Sequence, residues 1–349
     1  MARHSGPIEG TAVLRIGDFG HVAAGRLIVM SGSNSRPPRH EPRPGPGPVM
    51  VIGGAEDKMR DRVILSRFVK EAGGPKAHLV VIATASSLGD AATEFYRNLF
   101  LGMGVERVTG LRPVTREDAN QPGAADALED ATGVFLTGGN QLRLSSVVGG
   151  TRLGRALIEA HERGAVIAGT SAGASAVATH MMAFGASGAT PKHRMAQMSA
   201  GLGIVRGVVI DQHFEQRTRL GRLLAAVAQS PSLIGLGLDE DTAAIIHPDQ
   251  TLEVIGRGAV TIVDGANVVT DAFHTKGYRP MMVSGATLHS LPSGFGFDLE
   301  QRALLPVAEP TVRLGGRTRR RMTRAVAAEG ANSFSVEEPA ATSHREASE

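Results

Sequence analysis

Five short runs rich in Val, Ile and Leu recur between Val49 and Gly169: VMVIGG, HLVVIATAS, VERVTGL, GVFLTGG and AVIAG. Strands this apolar along their whole length are buried on both faces, which is the signature of parallel sheet rather than of a half-exposed antiparallel one. The stretches between them carry helical spacing. EDKMRDRVILSRFVKEAGG, from Glu56, predicts a helix with Val63, Ile64, Phe68 and Val69 on one face. DAATEFYRNLFLGMG predicts a second helix, closed by glycine, and REDANQPGAADALEDA a broken one. QLRLSSVVGGTRLGRALIEAHERG reads as a glycine-interrupted helical segment. Strand–helix alternation of this kind gives a doubly wound, mostly parallel α/β sheet flanked by helices.

After Gly203 the rhythm changes. GVVIDQHF predicts a strand and RTRLGRLLAAVAQS a helix. LIGLGLDEDTAAIIHP, TLEVIGRGAVTIVDG and NVVTDAF follow, short runs broken by Gly, Asp-Gly and Pro-Asp. They predict antiparallel hairpins added to the sheet, with LHSLPSGFGFDL as a last strand. The run SGSNSRPPRHEPRPGPGP, ending at Pro48, predicts a flexible extension over residues 1–48. The α/β domain is expected over 49–305. Residues 306–349, rich in Arg, Ala and Glu without periodicity, are expected to be a disordered tail.

In parallel sheets, ligands collect outside the carboxyl ends of the strands. Gly53-Gly54, Gly138-Gly139 and Gly169 stand at three such ends and are expected to share one crevice. At the third, Gly169-Thr170-Ser171-Ala172-Gly173 fits G-x-S-x-G, the nucleophile elbow, in which a sharp strand-to-helix turn exposes a serine hydroxyl. With 44 glycines in 349 residues a chance match comes easily, so the surroundings must supply the rest.

A serine hydroxyl needs a base. Of the downstream histidines, His180 falls in the helix expected after the elbow and points away, and His344 falls in the tail. His213 stands at the end of a strand that would reach the crevice. Asp211, two residues earlier, is expected on the same side, with Arg217, Arg219 and Arg222 close behind, which predicts a polar pocket. The acid that orients the imidazole is expected after His213, at the strand end Asp239-Glu240-Asp241. Spacing leaves the choice among these three open. The amides of Ala172 and Gly139 are the candidate oxyanion donors.

Composition closes off other chemistries. The chain has no cysteine, which excludes disulfides, thiolate metal sites and a cysteine nucleophile. No apolar run is long enough for a transmembrane helix, and Arg15, Asp18 and His21 interrupt any signal-peptide core. The expected location is cytoplasmic, with export left open. Net charge is +3, and the arginines at 317, 319, 320, 321 and 324 read as a solvated tail rather than a nucleic-acid surface.

Five strings in this order, VIGGAEDK, FLTGGNQLRL, IAGTSAGASAV, GLGIVRGVVIDQHFEQRTRLGRL and GLGLDEDTA, resemble the cyanophycinases, serine peptidases of the family that also contains dipeptidase E. The resemblance runs from about Val49 to Leu304. It implies hydrolysis of cyanophycin, a poly-aspartate carrying arginine on each side-chain carboxylate, to β-Asp-Arg. It also implies Ser171 as nucleophile, His213 as base and Glu240 as the acid. Gly139 is implied as an oxyanion donor, and Gln141, Asp211, Arg217, Arg219 and Arg222 as substrate-binding positions. No metal or organic cofactor is implied, and a homodimer is.

Overall fold

The computed structural model describes residues 45–306. The tail arginines and His344 lie outside them, as does the extension up to residue 44. Gly47 and Pro48 are buried, and Gly47 N donates to His161 O, so the packed structure includes residues just before Val49.

In chain order the first half consists of β1 (Val49–Ile52), α1 (Val63–Glu71), β2 (His78–Ile82), α2 (Asp90–Gly102), β3 (Arg107–Leu111), α3 (Pro122–Asp126) and β4 (Gly133–Leu136). Then come α4 (Gln141–Val148), α5 (Arg152–Glu162), β5 (Val166–Thr170), α6 (Ala172–Ala176), β6 (His180–Gly185) and β7 (Ala196–Ala200). The second half comprises β8 (Val208–Gln212), α7 (Leu220–Gln229), β9 (Ile234–Leu238), β10 (Thr242–Ile246), β11 (Thr251–Gly256) and β12 (Ala259–Asp264). It ends with β13 (Val269–Thr270), β14 (Val283–Ser284), β15 (Thr287–Pro292), β16 (Gly296–Asp298) and β17 (Ala303–Leu304).

The five apolar runs form the parallel part of a nine-stranded sheet, in the order β17-β16-β11-β10-β1-β5-β4-β2-β3. Val49, Val51, Val80, Ile82, Val134, Leu136 and Ile167 pack on one face. Met50, Ile52, Leu79, Val81, Phe135, Val166 and Ala168 pack on the other, against Phe68 of α1 and Tyr96 and Phe100 of α2. The Phe68, Phe100 and Phe135 rings stand 5.4 to 5.6 Å apart in tilted and edge-on contacts, each worth about 0.5–1.5 kcal/mol beyond area burial.

Apart from the two-stranded β13–β14 pair, the C-terminal strands divide between two sheets. β10 pairs antiparallel with β1 and β11 antiparallel with β10, extending the large sheet as expected of added strands. β8, β9, β12 and β15 form a separate four-stranded sheet, with β8 and β9 parallel. LIGLGLDEDTAAIIHP is therefore not a hairpin: Asp239-Glu240-Asp241 carries the chain from the small sheet to the large one. LHSLPSGFGFDL likewise splits into β15 and β16, one in each sheet.

Two helix expectations are corrected. α1 starts at Val63, not Glu56, and Val63 is exposed. The carboxylate of Asp57 accepts the amides of Met59, Arg60, Asp61 and Arg62 at 2.7 to 3.0 Å, folding residues 57–62 into a loop that competes with helix. These bonds hold the Asp57 carboxyl well below the usual carboxylate range. The helix after the elbow ends at Ala176, and exposed His180 opens β6. β6 pairs with β7 in a hairpin that the glycine-poor HMMAFG string did not announce.

Candidate active site

The crevice forms where the carboxyl ends of β1, β4 and β5 meet those of β8 and β9. Ser171 follows β5 with φ 51° and ψ −109°, a conformation that L-residues avoid and that costs about 1–3 kcal/mol unless its surroundings over-determine it. Those surroundings are present. Ser171 N donates to Ile52 O at 2.9 Å, and α6 behind it is buried at every residue. The strained turn leaves Ser171 partly exposed.

Ser171 Oγ lies 2.9 Å from His213 Nε2, and His213 Nδ1 lies 2.6 Å from Glu240 Oε1. Alcohol, imidazole and carboxylate thus stand in one row, each within direct hydrogen-bond reach of the next. Nδ1–H donating to Glu240 leaves Nε2 as the acceptor for the serine proton. Burial is the main cause that lowers the proton affinity of His213. The Glu240 hydrogen bond opposes it, and the Arg217 and Arg219 charges add to it. Burial thus favours the neutral imidazole.

The three acids at the end of β9 have separate tasks. Asp239 accepts the amides of Glu215 and Ala259 at 3.1 and 3.0 Å. Asp241 accepts the Asp57 amide at 2.8 Å and pairs with Arg257 at 3.2 Å. Glu240 alone of the three reaches the imidazole.

Gly138 turns beside Ser171: a Cβ there would sit 3.3 Å from Ser171 Cβ and 3.8 Å from its Oγ. The turn continues through Gly139 (φ 140°), whose own Cβ would lie 2.0 Å from Ala85 O. Gly138 is thus the glycine set against the Ser171 hydroxyl, and Gly139 is packed on the Ala85–Ser86 backbone. Gln141 begins α4, and its Nε2 donates to Met182 O and Ala183 O at 3.1 and 2.6 Å, tying α4 to the β6 strand.

The polar pocket expected around Asp211 is arranged differently. β8 ends at Gln212, and His213 takes φ 47°, so the regular two-residue alternation stops before the histidine. Asp211 is fully buried. Arg222 Nε donates to its Oδ2 at 2.5 Å, Arg222 NH2 donates to Oδ1, and Arg219 NH1 donates to Oδ1 at 3.2 Å. Asp211 thus does not stand free to meet an incoming guanidinium. Arg219 and Arg222 are buried with it, and burial lowers Arg219 to about 10. Arg217 is exposed.

Two residues that the sequence patterns left aside belong to this region. Gln212, buried, accepts from Arg219 NH1 through both its side-chain and backbone oxygens. Gln216 Oε1 accepts the Glu240 amide at 3.0 Å. Both sit inside DQHFEQR, so the string itself was the available signal.

Comparison with known proteins follows the same outline. The model of Peptidase family S51 matches residues 49–254. The cyanophycinase of Trichormus variabilis (strain ATCC 29413 / PCC 7937) is 42% identical over 261 residues, covering 74% of this chain and 87% of that protein. The cyanophycinase of Synechococcus elongatus is 40% identical over 267 residues, covering 74% and 83%. That of Geminocystis herdmanii (strain PCC 6308) is 39% identical over 248 residues, covering 70% and 91%. Among solved structures, a peptidase from an acI-B1 Actinobacterium superposes with a TM-score of 0.53 at 22% identity, over 71% of this chain and 98% of that one, a likeness of fold.

Proposed function

The chain belongs to peptidase family S51, a serine-type hydrolase, and on that basis we propose that it degrades cyanophycin as an exopeptidase, releasing β-Asp-Arg. The observation that carries the reading is the unbroken line from Ser171 through His213 to Glu240, at 2.9 and 2.6 Å, in a chain about 40% identical to cyanophycinases.

In the proposed mechanism, His213 Nε2 takes the Ser171 proton as Oγ attacks the backbone carbonyl of the terminal unit. The Gly139 and Ala172 amides receive the oxyanion. His213 returns the proton to the leaving amine, and the acyl-enzyme on Ser171 is then hydrolysed by a water that the same imidazole activates. Glu240 fixes the tautomer and stabilises the imidazolium. The substrate offers carboxylates and guanidiniums in alternation. Exposed Arg217 is suited to a carboxylate by its bidentate fork. Asp211, with Arg219 and Arg222, acts as a buried charged scaffold for that wall, and Gln141 Oε1 supplies an acceptor on the opposite side.

A cytoplasmic homodimer is part of the proposal. No helix among the described residues is long and apolar enough to cross a membrane. Incubation with cyanophycin followed by chromatography tests the activity, and β-Asp-Arg should accumulate from the first minutes. Failure to release it, together with cleavage of short Asp-X dipeptides, would replace cyanophycin by short aspartyl peptides as the substrate.

A further inference from the structure

VIGGAEDK contributes more than a tight turn. The loop after β1 touches every segment that bears a member of the Ser171–His213–Glu240 line. His213 N donates to Gly53 O at 2.9 Å, and the His213 ring packs on Gly54. Asp241 N, next to Glu240, donates to Gly54 O at 2.9 Å, and Asp57 N donates to Asp241 Oδ1 at 2.8 Å. Only the link from this loop to the serine remains, and Glu56 supplies it. Thr170 Oγ1, on the residue before the nucleophile, donates to Glu56 Oε2 at 2.5 Å.

Glu56 is unusual for a carboxylate at a loop. Its side chain is 1% exposed, with Tyr96 OH donating to Oε1 at 2.7 Å and Lys58 Nζ 3.0 Å from the same oxygen. A charge buried this deeply is tolerated only when its oxygens are occupied by donors. Removing it would leave the Thr170 and Tyr96 hydroxyls without their acceptor. The residues on either side of the contact are both backbone-strained, Ala55 at φ 49° and Ser171 at φ 51°. Strained positions persist when neighbours pin them. The Glu56–Thr170 bond ties one strained turn to the other.

We propose that Glu56 is a positioning residue. Through Thr170 it locks the β1 loop to the nucleophile elbow and so sets the Ser171–His213 distance. It touches no substrate. The lock acts on turnover rather than on substrate affinity, because a small displacement of the attacking oxygen is felt most in the transition state. The proposal rests on Ser171 as the nucleophile and not on which polymer is cleaved.

The test compares Thr170→Val, which is nearly isosteric and lacks the donor, with Thr170→Ser, which keeps it, and with Glu56→Gln, whose amide nitrogen brings a donor to a site already surrounded by donors. Two rates are read in each variant: kcat on cyanophycin, and labelling of Ser171 by a serine-directed phosphonate. Thr170→Val and Glu56→Gln are expected to lose about tenfold or more in both rates, with KM within about twofold. Thr170→Ser should stay within about twofold of the parent in both. Melting temperature is followed in parallel, and if Glu56→Gln fails to fold, the Thr170 pair decides alone. Labelling of Thr170→Val at the parent rate would overturn the proposal, as would a Thr170→Ser variant as slow as Thr170→Val. If the parent is labelled by phosphonate but releases no β-Asp-Arg, the substrate reading fails, and the labelling rates still decide the role of Glu56.

Discussion

His213 Nε2 reaches Ser171 Oγ at 2.9 Å although the two residues leave strands of different sheets, β8 of the small sheet and β5 of the large one. The contact is made by the edges of two layers, and its geometry depends on how those layers meet. Substitutions on either layer, and in the loops between them, should therefore disturb the same reaction.

Glu240→Gln and Asp241→Asn should part company. The carboxamide introduced by Glu240→Gln would fail to hold the imidazole in its working tautomer, and kcat should drop by about 10³–10⁴-fold. Asp241→Asn removes a charge that faces Arg257 and a backbone amide, and turnover should fall by less than about tenfold. Steady-state kinetics on both variants checks this. Equal losses would assign the orienting role elsewhere.

Turnover should vanish on the acid side as His213 takes up a proton. Burial lowers its affinity, so the midpoint of kcat/KM should lie below the ordinary 6.5. Arg217→Gln removes a positive charge that disfavours the imidazolium and should move the midpoint upward, visible in the pH dependence of phosphonate labelling even if substrate affinity suffers. The linkage has the same sign. The folded state holds this proton less tightly than the unfolded chain, so the stability contributed by neutral His213 is full above 6.5 and declines as pH falls through the folded value. A midpoint above 6.5 would contradict the burial argument.

Gly54→Ala should cripple the enzyme without touching a reacting atom. The added Cβ would fall 2.4 Å from His213 Cε1 and 2.6 Å from Nε2, at a φ of 103° that alanine disfavours. Displacing the ring should cost about a hundredfold or more in kcat. Activity within about threefold of the parent would mean the ring yields without consequence.

Asp211→Ala should destabilise the fold by about 3–5 kcal/mol, because two buried guanidiniums lose their counter-charge. Urea denaturation monitored by circular dichroism measures it. A loss under about 1 kcal/mol would show that Arg219 and Arg222 find other partners.

Much of this was legible in the chain before its folding. Four of the five apolar runs became parallel strands buried along their whole length, which leaves no polar alternation to confuse them, and the fifth, β3, pairs at the edge of the sheet with no buried residue. Ser171 and His213 were legible as candidates because each closes a strand in a recognisable string. Glu240 was not separable from Asp239 and Asp241 by spacing. Which of three consecutive carboxylates points at a ring depends on the φ of 49° at Asp241 and on the crossing between sheets, neither of which has a local signature. The buried pairing of Asp211 with Arg219 and Arg222 was not legible for a related reason: it is made across the left-handed turn at His213, which has no local signature. The β6–β7 hairpin was hidden because its buried residues, Met181, Met182 and Ala183, run consecutively and mimic the end of a buried helix.

The division of the strands between two sheets has a consequence for the nascent protein. The alcohol, the ring and the acid are contributed at positions 171, 213 and 240, and no single layer holds more than its own share. A partly folded chain can therefore possess every helix and strand and still be chemically inert. Hydrolysis requires the two layers to be docked, which makes catalysis a sensitive gauge of complete folding.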